Sequence, residues 1–183
     1  MDVLALVMSA LSLLVAFAGT YLANKRSREA LALSRRAAVD ARWSALQEAA
    51  QRLIGFDPAA EPVGERLSNL RIAMIALVDE LPEWSELDGW LEAERILGAT
   101  YGRQVMDAAK PGDRVEQRVQ NLDPLMTWAH ALSSNLRFLR SKGRSAVSFG
   151  TLTSDAKGLI AQIHDKNGWD LPPAANTRAS PLE

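Results

Sequence analysis

Two hydrophobic regimes divide this chain. An uncharged apolar run extends from Val3 to Ala23 and is closed by Asn24-Lys25-Arg26-Ser27-Arg28; beyond it, apolar residues recur every three or four positions with charges between them. The first regime predicts a membrane-spanning helix, since about 21 residues at about 1.5 Å each give about 31 Å, close to a hydrocarbon core of about 30 Å. Its leucines, valines and Phe17 favour insertion by roughly 0.3–0.6 kcal/mol each, against small penalties from Ser9, Ser12, Gly19 and Thr20. Ala16-Phe17-Ala18 has the small-residue pattern of a signal-peptide cleavage site, but Met1-Asp2 supplies no basic flank, so the segment is expected to stay as an anchor.

The second regime predicts helices. Asn24 to Ile54 contains no Pro or Gly, so the spanning helix is expected to continue as a stalk. Its residues Val39, Trp43, Leu46, Ala50 and Leu53 form a coiled-coil-like seam. Gly55 and Pro58 end it. A second helix from Glu61 or Pro62 to Leu81 carries Val63, Leu67, Leu70, Met74, Leu77 and Leu81, with Ile72, Ile75 and Val78 widening its apolar face, and is expected to be central. A third runs from Glu83 to Ala109; its interior glycines Gly89, Gly98 and Gly102 point to close packing against a neighbour. After the turn at Lys110-Pro111-Gly112-Asp113, a fourth runs to Lys142, with a break near Leu122 because Asp123-Pro124 has the form of a new helix start. Leu125, Trp128, Leu132, Leu136 and Leu139 extend its apolar face. Phe149, Leu152, Ala156, Leu159 and Ile163 predict a fifth helix from Phe149 to Lys166, and the chain is expected to be loose after Pro172.

The architecture expected is therefore all-α: a single N-terminal transmembrane helix continuing as a stalk into an antiparallel bundle of four to five helices. The segments are 1–24 as anchor, 25–55 as basic juxtamembrane stalk, 56–168 as cytoplasmic bundle and 169–183 as tail. Lys25, Arg26, Arg28, Arg35 and Arg36 place the N-terminus outside and the bundle in the cytoplasm, and they are candidates for contact with anionic lipid headgroups. Ala5, Ser9, Ser12, Ala16, Gly19 and Ala23 form a stripe of small residues, a candidate seam for association of two spans and hence for a homo-oligomer.

Charge and chemistry narrow the function. The formal net charge of the 183 residues is -1, which gives no overall bias toward nucleic acid. Cysteine is absent, excluding disulfides and thiolate chemistry. The chain has two histidines, His130 and His164, and neither has the carboxylate or histidine spacing of a metal site. Asp79, Glu80, Glu83, Glu86, Asp88, Glu92 and Glu94 read as a solvated acidic face, partly complementing the start of the third helix. Arg137, Arg140, Lys142 and Arg144 complement the end of the fourth. Trp43, Trp84, Trp90 and Trp128 read as core, and Trp169 as core or a cap on the bundle end. No nucleophile elbow, phosphate loop or dinucleotide fingerprint is present, and no cofactor is implied. These observations predict a non-enzymatic, membrane-tethered interaction or regulatory module with an unknown protein partner. The alternatives are a membrane-active effector and a tethered enzyme with an unfamiliar site.

Overall fold

The computed structural model describes residues 2–144 and 148–172; within the first helix the described side chains are Met8, Phe17 and those from Gly19 onward. The described residues form five helices: α1 (Asp2–Gln51), α2 (Val63–Glu80), α3 (Ser85–Ala108), α4 (Val115–Lys142) and α5 (Phe149–Asn167). No strand occurs among the described residues. The chain divides into two compact units, Met1–Asp40 and Ala41–Glu183.

The first unit is helical from Asp2. Its described side chains are exposed as far as Ala37, including Tyr21, Leu22, Leu31 and Leu33. Among the described residues no helix is long and apolar enough to cross a membrane. This corrects the single-pass topology and, with it, the cell-membrane location, the outside N-terminus, and the membrane and anionic headgroups as partners. The physical reason lies in the described part of α1. A window of spanning length that begins at Gly19 takes in Lys25, Arg26, Arg28 and Glu29, and later ones take in Arg35, Arg36, Asp40 or Arg42; a basic side chain at the centre of a span costs roughly 2.5–3.5 kcal/mol. Of the small-residue stripe, the side chains of Ala5, Ser9, Ser12 and Ala16 lie outside the described residues. Gly19 and Ala23 are exposed, and nothing lies within 4 Å of a Cβ placed at Gly19.

In the second unit the end of α1 contributes Trp43, Leu46 and Ala50 to the core, followed by Leu53. Two single-turn bonds, Leu53 N–H to Ala50 O and Ile54 N–H to Gln51 O, tighten the chain into Gly55, whose φ of 74° lies in the region open to glycine. Pairings along the helices fix their directions. Arg42 reaches Glu80, and the Arg66 guanidinium reaches the Arg52 carbonyl, so α1 and α2 are antiparallel here. Glu94 meets Trp128, and Ala108 meets Asn121, so α3 and α4 are antiparallel too. By contrast, Trp90 meets Phe149 and Thr100 meets His164, so α5 runs parallel to α3.

The central element is α3 rather than α2, because α3 packs on α2, α4 and α5. Consistent with that, α2 buries Val63, Leu70, Met74 and Leu77 but leaves Ile72 65% and Ile75 50% exposed. The widening of its apolar face expected from sequence points away from the core.

Helix α4 passes through Pro124 without the expected break. Proline in a helix interior forgoes one backbone bond and costs about 3 kcal/mol. Here Gln120, Asp123 and Pro124 are exposed, so water can satisfy the freed carbonyl, while Leu122 and Leu125 are buried on either side and hold the axis.

The interior glycines of α3 separate into two kinds. Gly89 has open space around it. A Cβ at Gly98 would lie 2.3 Å from Cη2 of Trp128, and one at Gly102 would lie 2.6 Å from Cδ1 of Leu67. The obstacle at Gly102 is the free end of a leucine that can change rotamer. Gly102→Ala, which also removes a helix-interior glycine worth roughly 1 kcal/mol, is expected to alter stability by less than about 1 kcal/mol in urea unfolding. A loss above about 2 kcal/mol would show that Leu67 cannot yield.

Candidate functional site

Three features of the Ala41–Glu183 unit have the form of a site. The first is a groove of about 540 Å³ between the last turns of α1 and α2. Its floor is made of small side chains, Ala45 and Ala49 from α1 with Ala73 and Ala76 from α2, and Ile72 stands at its edge. Most of the charges on the rims are paired within a wall or across the walls. Arg52 Nη2 donates to Glu48 Oε1 at 2.6 Å, and Arg42 Nε lies 3.8 Å from Glu80 Oε1. Arg66 donates to both the Arg52 carbonyl and Glu61, with its guanidinium carbon 4.5 Å from the centre of the Phe56 ring. These contacts close the lower end of the groove with a cation–π stack and leave the alanine floor open.

The second feature is a buried carboxylate. Glu94 is only 7% exposed, although the sequence places it in the acidic run. Its Oε1 accepts the indole N–H of Trp90 at 2.9 Å, and its Oε2 accepts that of Trp128 at 2.7 Å. Burial pushes the Glu94 carboxyl above the usual range, and the two indole donors pull it back in part. Tyr101 lies against Trp128, with ring centres 6.4 Å apart; its phenol is pushed up by burial and then by the charge of Glu94. The sequence signal was the column Trp90, Glu94, Gly98, Gly102, four residues apart, which puts the acid on a packed face rather than a wet one.

The rest of the acidic run behaves differently. Glu86 and Asp88 lie in the first turn of α3. Arg144 donates to both carboxylate oxygens of Glu86 at 2.8 and 2.6 Å and to the Glu83 carbonyl at 2.7 Å. The backbone bond at Glu86, followed by Arg144, holds the Glu86 carboxyl below the ordinary range. Arg95 does the same for Glu92 through two bonds of 2.6 Å. Arg140, from the basic set at the end of α4, donates to Ser44 of α1 at 3.2 Å, whereas Arg137 donates to Ser134 within α4.

The third feature is a clasp at the end of α5. Gly168, with φ 64°, turns the chain so that the Trp169 N–H donates to the His164 carbonyl. His164 is buried, with Nδ1 2.7 Å from the Asp170 carbonyl, which fixes the proton on Nδ1, and Nε2 3.3 Å from Thr100 Oγ1. The Trp169 ring stands edge-on to the imidazole and carries the Arg103 guanidinium 4.1 Å from its centre. Trp169 thus caps the bundle end. His130 is exposed, and no group of three or more metal-ligating side chains occurs among the described residues.

The chain matches no protein-family model, no curated protein and no solved structure.

Proposed function

We propose that this chain is a non-catalytic helix-binding module that receives an amphipathic helix of a protein partner in the α1–α2 groove. The carrying observation is the alanine floor between two antiparallel helices. Small residues on both walls let a third helix approach closely, with its ridge of side chains seated between theirs. The groove extends along α2 from Pro62 to Ala76, about 21 Å at the helical rise, which suits a partner segment of about four turns. Ile72 offers an apolar contact at one edge. The rims carry both signs in compensated pairs, a pattern that favours a partner with mixed charges over a polyanion. The buried carboxylate and the clasp serve as supports: Glu94 and His164 are buried, and neither lines the groove.

The test is a selection of displayed helical peptides on the purified full chain, followed by affinity measurement against Ala49→Trp and Ala73→Trp, which fill the floor. Selected peptides are expected to be amphipathic and to lose at least about tenfold in affinity, roughly 1.4 kcal/mol, when the floor is filled in a variant of unchanged helicity. Failure to enrich any helical peptide, or binding indifferent to both tryptophans, overturns the proposal. So does turnover in a broad activity screen that the same fillings abolish.

A further inference from the structure

Among the described residues Glu94 is a carboxylate with no cation. Both of its oxygens accept from indole N–H groups, one from its own helix and one from α4, and neither meets an arginine, lysine or histidine. Several arginines of the surrounding elements are engaged elsewhere. Arg95 of α3 is bonded to Glu92, and Arg71 of α2 also acts on Glu92. Arg103 lies 3.7 Å from Asp107. Arg144, beyond α4, binds Glu86. From α5 the approach to this cluster is apolar, with the Phe149 ring tilted against Trp90 at 6.0 Å. The ionisable neighbour that couples to Glu94 is Tyr101, whose phenol is neutral when Glu94 titrates, so it contributes no charge.

A buried charge compensated only by dipoles is held at a cost, and the cheapest relief is to take up a proton. We propose that Glu94 is a proton-binding site that couples pH to the stability of the α3–α4 packing, with protonation favouring the folded state. Two indole N–H bonds give the site its shape. As a carboxylate, Glu94 grips both indoles with charge-assisted bonds. As a neutral acid it keeps a carbonyl for one indole and a hydroxyl lone pair for the other, and the buried charge is exchanged for a hydroxyl donor, which costs less to bury. The proton goes to a carboxylate oxygen and comes from solvent; no bond to carbon changes.

The sign follows from linkage. The carboxyl is raised in the folded chain above its value in the unfolded chain. The folded state therefore binds the proton first as pH falls, and Glu94 favours folding increasingly from above its folded pKa down to its unfolded pKa, after which its contribution is constant. The opposite holds for Glu86 and Glu92, whose lowered carboxyls stabilise at neutral pH and lose that contribution as pH falls through their depressed values.

The experiment is a titration of the full chain from about pH 9 to about pH 4, a range reaching below the ordinary glutamate value. It follows the indole 1H–15N resonances of Trp90 and Trp128 together with 13C resonances of glutamate carboxyls. The two indoles are expected to move together with one midpoint above the ordinary glutamate range, shared by the Glu94 carboxyl. Glu94→Gln is expected to remove that step. Between the unfolded and folded midpoints, the unfolding equilibrium constant of the native chain is expected to fall, relative to Glu94→Gln, by up to about tenfold for each unit of falling pH. Indoles that move independently, a step that survives in Glu94→Gln, or a Glu94 carboxyl midpoint at or below the ordinary value overturns the proposal. The carboxyl measurement needs only the native chain, so the proposal stays testable even if the variant does not fold.

Discussion

Replacing Glu94 with leucine is expected to destabilise the fold by about 2–4 kcal/mol at neutral pH, despite removing a buried charge. The leucine is close in size, but it leaves the indole N–H groups of Trp90 and Trp128 without an acceptor. Each buried unsatisfied donor costs about 1–3 kcal/mol. Relief of the carboxylate's own desolvation offsets part of that sum, since burial is the first cause of its raised pKa. Urea unfolding checks the magnitude, and indole exchange rates check the mechanism: both N–H groups should lose protection together. A neutral or stabilising outcome would mean that the indoles find other acceptors and that the carboxylate is dispensable to the core.

Gly98→Ala is expected to cost about 1–3 kcal/mol, the range of overpacking, even though alanine suits a helix better than glycine. The added Cβ would fall 2.3 Å from Cη2 of Trp128 and 2.9 Å from both Cζ2 and Cζ3. That ring cannot slide away easily, because its Nε1 is bonded to Glu94 at 2.7 Å and Tyr101 lies against it. The decisive comparison is a double-mutant cycle with Trp128→Phe. In the phenylalanine background the same Gly98→Ala change should become nearly neutral, a coupling of at least about 1 kcal/mol between touching residues. Equal costs in both backgrounds would place the strain somewhere other than the indole.

These contacts also show what the residue order reveals and what it conceals. In α4 every position of the expected face, from Leu125 through Trp128, Leu132 and Leu136 to Leu139, is buried. In α5 the face is displaced: Ile160 and His164 are buried, while Leu159 is exposed. Adjacent positions 159 and 160 are both apolar, so periodicity alone cannot choose between them. The choice is tertiary, made by Thr100 and the Asp170 carbonyl, which give the His164 ring two polar partners on one column. Glu94 was hidden for a related reason. Its chemical kinship with Glu92 and Asp88 suggested a wet surface, whereas its spacing from Trp90 and Gly98 assigned it to the packed side. Of the candidate seam near the N-terminus, only Gly19 and Ala23 have described side chains, and both are exposed. The groove was the least legible feature, since alanines score neither as core nor as surface and their value appears only when two helices set them face to face.

The position of α3 bears on how the chain finds its structure. Two of its partners, α2 and α4, are its immediate neighbours along the chain, joined through short connections, so those contacts close small loops and can form early. The third partner, α5, arrives only after the 28 residues of α4 have been laid down. Loop closure alone therefore predicts that the helical hairpins on either side of α3 condense before α5 docks. The clasp at Trp169 then acts as a closing stitch on the final helix to dock.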